Sequence, residues 1–380
     1  MIARTSRHGA DRRIREIQTL KETKMTYLRN AWYVACWSDE VKKGEMFSRT
    51  LLEEPVVLYR LTDGTPVALQ DRCPHRFIPL HLGSIKNDAI ECCYHGLQFD
   101  CTGKCVLNPH GDGKIPTAAR VRSYPVAERH GMVWIWMGDE KEDPALISDY
   151  GVLDQGSGYK TSRGKITIDA NYELVAENLL DLSHAPFLHN GLLGSPEMTE
   201  AAPVVREEGS VLHVDRWMPN VSVPGTFDML FRRDGQNVDA WQNMSWYPPA
   251  CFMLDVGVQA PGESRDRGAW FYGVHILTPE TARTTHYHFA AAFPPGGPEL
   301  DEETNKRLGE MRRIAFDEQD KPILNAQQAA IGDEDFWDMK PVLLNVDAGP
   351  VRMRRKLAQL IAQEVARNTE KLPSAQTSGA

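Results

Sequence analysis

The sequence lacks several features that would place it among membrane, nucleic-acid-binding or secreted proteins. It has no run of eighteen apolar residues, so we expect no membrane-spanning helix. Its 43 lysines and arginines are outnumbered by 52 aspartates and glutamates, and the net charge of −9 argues against a nucleic-acid partner. The seven cysteines are an odd number. Because four of them cluster between residues 92 and 105, we expect reduced thiols around a metal in the cytoplasm, not a secreted disulfide framework.

We predict two domains, because 380 residues exceed the usual size of one. The sequence before Met25 is rich in arginine and has no apolar stretch, and we expect a flexible extension there. Short apolar runs separated by turn residues then predict an all-β domain, with a hairpin that turns at Asp63-Gly64. The predicted division is an extension (1–24), an all-β domain (25–145), a linker (146–160), a second domain (161–366) and a disordered tail (367–380).

The second half of the sequence mixes strands and helices. "GKITIDA" predicts a strand before the helix "NYELVAENLLDLSHA", and residues 204–294 contain further strand-like runs. "LDEETNKRLGEMRRIAFDEQDKPILNAQQAAI" predicts a long amphipathic helix with a break at Pro322. The last helix begins at Gly349-Pro350. The predicted fold class is therefore α+β.

The stretch "CPHRFIPLHLGSIKNDAIECCYHG" places one cysteine and one histidine in each of two short segments. The spacing is Cys73-x-His75 and then Cys92-x-x-His95, whereas zinc sites more usually pair cysteine with cysteine and histidine with histidine. Two thiolates on one iron and two imidazoles on the other are the ligands of a Rieske [2Fe–2S] cluster. We predict that these four residues bind such a cluster and that the adjacent Cys93 only packs.

A second constellation lies in "ENLLDLSHAPFLH". On an uninterrupted helix His184 and His189 would point about 140° apart, but Pro186 should break the helix and let His189 turn back. Two imidazoles and one carboxylate on one side of a metal form the facial triad of non-haem Fe(II) oxygenases, which leaves positions open for O₂ and substrate. We expect Asp181 to orient His184 by accepting its other ring N–H.

The third iron ligand must come from elsewhere in the chain. The candidates are Asp317 and Asp320 in "AFDEQDKPILNAQQ", within the long predicted helix. We prefer Asp320, which lies next to the predicted break at Pro322, and place Asp317 second.

With both motifs in this order, the chain resembles the oxygenase component of Rieske non-haem iron oxygenases, and within them the vanillate and dicamba O-demethylase group. The resemblance covers residues 25 to about 365. It includes "RNAWYVA", "CPHR", "YHGLQFD", "NLLDLSHAPFLH", "HILTPET" and "LNVDAG". It implies an N-terminal Rieske domain and a C-terminal helix-grip domain that holds the mononuclear iron. Asn178 matches a position near that iron.

The resemblance also implies a homotrimer in which electrons cross between subunits. They would pass from His95 of one subunit to Asp181 and His184 of the next. An NAD(P)H-dependent reductase, with or without a ferredoxin, would supply these electrons one at a time.

The reaction implied by the resemblance is oxidative dealkylation of a small aromatic compound with O₂ as cosubstrate. O-demethylation with release of formaldehyde leads; N-dealkylation of an aromatic amide or amine, such as an N-alkyl anilide, and ring dihydroxylation remain alternatives. Family position makes Asp255 and His275 candidates for the substrate pocket. An ionised Asp255 there would disfavour an anionic benzoate and favour a neutral anilide or phenolic ether.

Two classes other than an oxygenase stay open from the sequence. A Rieske electron carrier with an appended domain would have no second iron site, and His184, His189 and Asp320 argue against it. A zinc-stabilised ligand-binding module would contain no acid-labile sulfide.

Overall fold

The computed structural model describes residues 27–297 and 301–370. The predicted extension 1–24 lies outside the described residues, as do residues 371–380 of the predicted tail. Residues 367–370, which the sequence predicts to be disordered, form the end of the last helix instead. No helix in the described part of the chain is both long and apolar enough to cross a membrane.

The described residues form four antiparallel sheets. Their strands are β1 (Trp32–Trp37), β2 (Phe47–Leu51), β3 (Glu54–Arg60), β4 (Pro66–Gln70), β5 (Ser84–Lys86), β6 (Ala89–Glu91), β7 (Gln98–Phe99), β8 (Cys105–Leu107), β9 (Ser123–Tyr124), β10 (Val126–Arg129), β11 (Met132–Trp136), β12 (Lys160–Ile168), β13 (Val204–Glu208), β14 (Val211–Val221), β15 (Val238–Tyr247), β16 (Cys251–Gln259), β17 (Ala269–Thr281) and β18 (Thr284–Phe293). The strand orders are β1-β11-β10, β2-β3-β4-β9, β5-β6-β7-β8 and β12-β18-β17-β16-β15-β14-β13.

The helices belong mainly to the second half of the chain, where they pack against the seven-stranded sheet. They are α1 (Tyr172–Leu180), α2 (Ala185–Leu188), α3 (Gly225–Leu230), α4 (Glu302–Arg313), α5 (Lys321–Ile331) and α6 (Ala348–Glu370). A π-helical segment, Ile314–Asp320, joins α4 to α5 without a break. This combination of separate sheets and helices confirms the predicted α+β class.

Local sequence signals explain the small sheets of the N-terminal half. The hairpin β3–β4 turns at Asp63-Gly64 as predicted, and Gly64 has a φ of +92° there, which a residue without Cβ adopts easily. β11 is buried along its whole length, and it pairs with β1, which is buried likewise. Together with β2, these two strands form the wall that faces the second half of the chain.

Helix α1 ends earlier than the sequence predicts. Its N-cap, Asn171, accepts a hydrogen bond from the N–H of Glu173, and the helix stops at Leu180. Asp181 then has φ −105° and ψ 84°, which turns the chain out of the helix. The break therefore lies at Asp181, and Pro186 is instead tolerated in the first turn of α2, where its missing N–H costs nothing.

The predicted break at Pro322 is also displaced. The irregularity is the π-helical segment Ile314–Asp320, and Pro322 lies in the first turn of α5 immediately after it. A proline ring clashes with the carbonyl four residues earlier in an α-helix, and the wider π turn relieves that clash. The same widened turn carries Asp320.

The two halves of the chain share an apolar interface. The predicted linker 146–160 is packed into it, because Ile147 and Tyr150 are buried together with tryptophans of β1 and β11 and apolar residues of β17. The hydroxyl of Tyr150 donates to the carbonyl of Phe252 at 3.2 Å. Because the residues around Ile147 and Tyr150 are mostly polar, the sequence predicts a linker there and does not reveal these contacts.

Candidate metal centres and substrate cavity

Two loops with the same backbone hydrogen bonds hold the predicted cluster ligands. Cys73 and Cys92 each accept, through their carbonyls, a hydrogen bond of 2.9 Å from the N–H four residues later, which belongs to Phe77 and Gly96 respectively. Both of these residues have a positive φ, +61° for Phe77 and +69° for Gly96. One loop connects β4 to β5 in a different sheet and the other joins the paired strands β6 and β7, and both present matching ligand positions.

The side chains in these loops suit a cluster with unlike irons. The thiols of Cys73 and Cys92 are buried, whereas the rings of His75 and His95 lie toward solvent with their centroids 4.4 Å apart. Burial raises the pKa of the Cys73 thiol to about 11, so a metal is needed to hold it as a thiolate at neutral pH. A buried thiolate pair and an imidazole pair of one exposed and one half-buried ring match the two irons of a Rieske cluster. Cys93 is exposed, so the prediction that it packs is wrong.

The structure brings together the predicted iron ligands. The Oδ1 atom of Asp320 lies 3.2 Å from Nε2 of His189 and 3.6 Å from Nε2 of His184. One ligand atom from each of the three residues lies within 4.8 Å of the others, and no further cluster of this kind occurs among the described residues. Asp317 is not part of this set. The geometry therefore selects Asp320, and two imidazoles with one carboxylate are the donors of a facial triad.

Hydrogen bonds to the far ring nitrogens fix the orientation of both imidazoles. Nδ1 of His184 donates to the carbonyl of Asp181 at 2.5 Å, and Nδ1 of His189 donates to Oε1 of Gln319 at 2.7 Å. Each Nε2 is then the unprotonated nitrogen that can bind a metal. Burial lowers the pKa of His184, which keeps its imidazole in the neutral form.

The predicted role of Asp181 needs correction in its chemical detail. Its backbone carbonyl, and not its carboxylate, accepts from His184. The carboxylate caps the next turn instead, where Oδ1 accepts from the N–H of Ser183 at 2.9 Å. The reason is the end of α1 at Leu180, which frees the carbonyl of Asp181 from helical pairing.

Asn178 lies at the iron site as the sequence predicts. Its Nδ2 donates to Oδ1 of Asp320 at 3.2 Å, and its side chain also lines the adjacent cavity. Asn178 therefore connects helix α1 to the carboxylate ligand at the end of the π segment.

Arg216 fastens the segment that carries both iron histidines. It is 4% exposed, and its guanidinium donates to the carbonyls of Leu182 at 2.9 Å, Met198 at 2.7 Å and Ala201 at 3.3 Å. It also donates to Oε1 of Gln242 at 3.3 Å. Because these carbonyls lie on either side of the histidines, one side chain on β14 holds both ends of the segment.

A large, mostly apolar cavity opens beside the three iron ligands. It encloses about 1100 Å³ including its mouth, between the seven-stranded sheet and helix α4 with the π segment. The aromatic residues in its wall are Phe227, Phe271, Phe289, Phe293 and Phe316. Such a space suits an aromatic ring, and the few polar groups in its wall would set the ring's orientation.

Asp255 does not line this cavity, which contradicts the prediction. Its neighbours Leu254 and Val256 do, and because strand residues alternate between faces, Asp255 points to the other face of β16. There Arg265 binds its carboxylate through two nitrogens, at 2.6 and 2.8 Å, and Nε1 of Trp241 donates at 3.0 Å. The carboxylate is thus paired outside the pocket and cannot repel a substrate inside it.

His275 lines the cavity, as predicted from family position. Its Nδ1 lies 2.6 Å from the hydroxyl of Tyr287, and its Nε2 has no partner among the described residues. A Cβ on Gly273, two residues earlier on the same face, would lie 2.8 Å from this Nε2. Glycine there leaves room for the imidazole tip. Burial lowers the pKa of His275 to about 4, so the ring is neutral at pH 7.

Gln319 and Arg216 are two residues at this site that the sequence did not predict. Gln319 stands beside Asp320, but no spacing rule marks an amide as the partner of a histidine on another helix. Arg216 lies in the strand-like run "VLHVDRWM", where alternation puts it on the same face as Leu212 and Val214, but the sequence names no partner for a buried charge there. Both residues act through hydrogen bonds to segments distant in the sequence, which a local pattern does not reveal.

Family models match both halves of the chain. The family model of the Rieske [2Fe-2S] domain matches residues 31–125, and that of the vanillate O-demethylase oxygenase C-terminal domain matches residues 168–363. The oxygenase component of chloroacetanilide N-alkylformylase from Rhizorhabdus wittichii (strain DC-6 / KACC 16600) is 37% identical over 89% of this chain and 97% of its own. The oxygenase component of dicamba O-demethylase from Stenotrophomonas maltophilia is 35% identical over 90% and 100%.

A solved structure agrees with the fold and with the iron site. The crystal structure of dicamba monooxygenase with non-heme iron and dicamba has a TM-score of 0.73 and 34% identity to this chain. It covers 90% of this chain and 99% of its own.

Proposed function

Since the chain belongs to the Rieske non-haem iron oxygenases, as an oxygenase component with a vanillate O-demethylase C-terminal domain, we propose that it dealkylates a small aromatic compound. Its cofactors are a Rieske [2Fe–2S] cluster and a mononuclear non-haem iron. The observation that carries the proposal is the position of His184, His189 and Asp320 at the wall of an aromatic-lined cavity.

The proposed dealkylation begins at an alkyl C–H bond next to oxygen or nitrogen. The two metal groups, when bound, supply O₂ activation and stepwise delivery of electrons. One oxygen atom of O₂ enters the C–H bond, and the other leaves as water after uptake of two electrons and two protons. The resulting hemiacetal or hemiaminal then breaks its C–O or C–N bond and releases an aldehyde and the dealkylated aromatic.

The chain's own residues place the substrate and exclude water. The phenylalanines of the wall would pack against the aromatic ring. Asn178 holds the carboxylate of Asp320 from the cavity side, and Gln242 contributes a polar group to the same wall. Because the rest of the wall is mostly apolar, a bound ring would displace water from the space beside the ligands.

O-demethylation with release of formaldehyde is the first candidate, because the C-terminal family model and the dicamba relative both carry that activity in their names. N-dealkylation of an aromatic amide is the second candidate, favoured by the 37% identical chloroacetanilide relative. Ring dihydroxylation ranks third, since neither of these relatives is named for it.

We further infer that the chain acts with a separate NAD(P)H-dependent reductase, with or without a ferredoxin, in the cytoplasm. We also infer a homotrimer in which His95 of one subunit faces Asp181 and His184 of the next. Exposed apolar side chains support such contacts at both ends of the path: Phe77 (67% exposed) and Tyr94 (60%) lie in the cluster loops, and Phe187 (77%) lies between the iron histidines.

Mixed oligomers test the inter-subunit path. Chains carrying Cys92→Ser lack the cluster, and chains carrying Asp320→Asn lack the iron, so each alone should be inactive. Co-expressed chains should regain activity if electrons cross between subunits. Mixed oligomers without activity would contradict the crossing while leaving the dealkylase proposal intact.

Single-turnover product analysis tests the proposed reaction. Chemically reduced protein loaded with Fe(II) is mixed with O₂ and a panel of methoxybenzoates, methoxyphenols and N-alkyl anilides, and aldehyde and aromatic products are both quantified. One aldehyde for each dealkylated ring is the expected result, and the aldehyde identifies the alkyl group removed. A ring diol without aldehyde would move the enzyme to the dioxygenases.

A further inference from the structure

Helix α4 directs one of two adjacent arginines into the substrate cavity. Arg313 is exposed and its guanidinium pairs with Glu310 at 2.6 Å and Glu318 at 2.7 Å. Arg312 lines the cavity instead, where Nη1 donates to Oγ of Ser162 at 2.9 Å and Cζ lies 5.4 Å from the ring centre of Phe289. Within the described ranges 27–297 and 301–370, no carboxylate lies within 4 Å of the Arg312 guanidinium.

A cation in such a position is costly without an anion beside it. Burial lowers the pKa of Arg312, yet a guanidinium remains protonated at neutral pH. A hydroxyl and the face of one phenyl ring compensate its lost hydration only in part. The carboxylate that sequence position suggested for this pocket, Asp255, lies on the other face of the sheet, bound to Arg265.

His275 places a second polar side chain in the cavity wall. Nε2 of His275 belongs to a side chain that is 6% exposed, and it has no hydrogen bond among the described residues. If the hydroxyl of Tyr287 donates to Nδ1, this bond satisfies both groups and the ring proton lies on Nε2. The other tautomer would leave two groups unsatisfied, the Tyr287 hydrogen and Nε2. The wall therefore offers two donors, the Arg312 guanidinium, which has one uncharged acceptor in Ser162, and the His275 ring, which has none among the described residues.

Given the proposed dealkylation, on which this inference rests, we propose that the substrate carries an anionic group, a carboxylate or a sulfonate, which Arg312 binds by an ion pair. Both groups are acceptors only, which matches a wall with a guanidinium and an N–H donor. Arg312 would then select anionic aromatics over neutral anilides and phenolic ethers. This reverses the preference that a cavity-facing Asp255 would impose.

The fold also constrains where the anionic group lies on the ring. Arg312 precedes Asp320 by eight helical residues, which corresponds to about 12 Å along a helix axis. Side chains lean toward the N-terminus of their helix, so the guanidinium extends away from the metal ligands. The anionic group should therefore be remote from the alkyl group that is removed, in a para rather than an ortho arrangement.

Matched substrate pairs test this proposal by calorimetric binding to the anaerobic holoenzyme. The pairs are 4-methoxybenzoate with 4-methoxybenzamide, and 4-methoxybenzenesulfonate with its sulfonamide. The native protein should bind each anion at least about tenfold more tightly than its neutral partner. Arg312→Met should weaken binding of the anions by about tenfold to a hundredfold. The same change should leave binding of the amides within about twofold.

Two further variants separate a local charge effect from a loss of structure. Arg313→Met removes a neighbouring surface charge and should leave both affinities unchanged. Arg312→Lys retains the charge without the planar fork and should keep part of the preference for anions. Equal affinity of the native protein for both members of each pair would overturn the proposal, as would equal weakening of both by Arg312→Met.

The same compounds distinguish a failure of this inference from a failure of the proposed function. If only the neutral compounds bind and release aldehyde in a single turnover, dealkylation stands and the anion site is wrong. If the anions bind through Arg312 but no compound yields aldehyde, the anion site stands and the dealkylase assignment is wrong.

Discussion

Oδ1 of Asp320 lies 3.2 Å from Nε2 of His189, although the two residues belong to separate helical segments. The end of α1 at Leu180 and the π turn before Pro322 together produce this contact. It is the point at which two independent irregularities of the backbone meet, and it defines the iron site.

Replacing Asp320 by asparagine should remove the mononuclear iron and leave the Rieske cluster in place. The neutral amide has nearly the same shape but cannot supply the anionic ligand of a facial triad. Iron analysis should show a loss of roughly one-third of the metal, because the cluster retains its two irons. Asp317→Asn is the matched control and should retain all of it. Full iron content in Asp320→Asn would exclude Asp320 as a ligand.

Replacing Gln319 by leucine should weaken iron binding by about tenfold to a hundredfold. Nδ1 of His189 would lose its acceptor, so neither the tautomer nor the ring orientation would be fixed. Gln319→Glu keeps an acceptor at the same place and should bind iron nearly as the native protein does. Titration of iron-free protein with Fe(II) under anaerobic conditions measures both. Equal affinity in Gln319→Leu would show that His189 is oriented by packing alone.

Replacing Arg216 by methionine should destabilise the protein and loosen the iron site together. The carbonyls of Leu182, Met198 and Ala201 would lose a buried donor, and the cost should be about 3 kcal/mol or more in the free energy of unfolding. Urea unfolding and iron content give the two readouts. Arg216→Lys keeps the charge but cannot reach all three carbonyls. Its stability and iron content should lie between those of the native protein and Arg216→Met. Native stability and native iron content in Arg216→Met would reduce Arg216 to a space-filling residue.

Acid should destabilise the fold partly through His286. Burial first, and then the positive charge of Arg49, lower the pKa of His286 to about 4, and its Nε2 donates to the carbonyl of Thr50 at 3.1 Å. The unfolded chain, with an ordinary histidine pKa near 6.5, therefore binds more protons than the native state between these values. The contribution is complete above about pH 6.5 and is lost as the pH falls toward 4, by up to about 3 kcal/mol.

Urea unfolding at several pH values measures this dependence. His286→Gln, which does not titrate, should flatten the decline between pH 6.5 and 4. His110→Gln changes an exposed histidine and should leave the decline as it is. An unchanged slope in His286→Gln would assign the acid sensitivity to other groups.

Short spacings made most of the metal ligands predictable. Cys73, His75, Cys92 and His95 lie in two short segments whose ligand pattern is local, and the structure gives both loops the same backbone hydrogen bond. The choice of Asp320 needed only the position of one proline, although the reason is the π turn and not a break at Pro322 itself.

The remaining features depend on contacts that no local pattern encodes. Strand β16 carries apolar residues on both faces, Leu254 and Val256 on one and Met253 beside Asp255 on the other, so alternation alone could not decide which face lines the cavity. The role of Arg312 depends on which side of α4 meets the sheet. The adjacent Arg313 is exposed and paired with Glu310, so residue type alone does not show which of the two arginines faces the cavity.

In the proposed reaction, one oxygen atom of O₂ enters an alkyl C–H bond beside a heteroatom of an aromatic substrate. A single turnover of reduced protein with ¹⁸O₂ and 4-methoxybenzoate, followed by mass spectrometry of the ring product, tests it most directly. We expect one aldehyde per turnover and a 4-hydroxybenzoate whose phenolic oxygen is unlabelled, because the ring C–O bond is never broken. A ring product that contains ¹⁸O would contradict it, since oxygen would then have entered the ring and not the alkyl group.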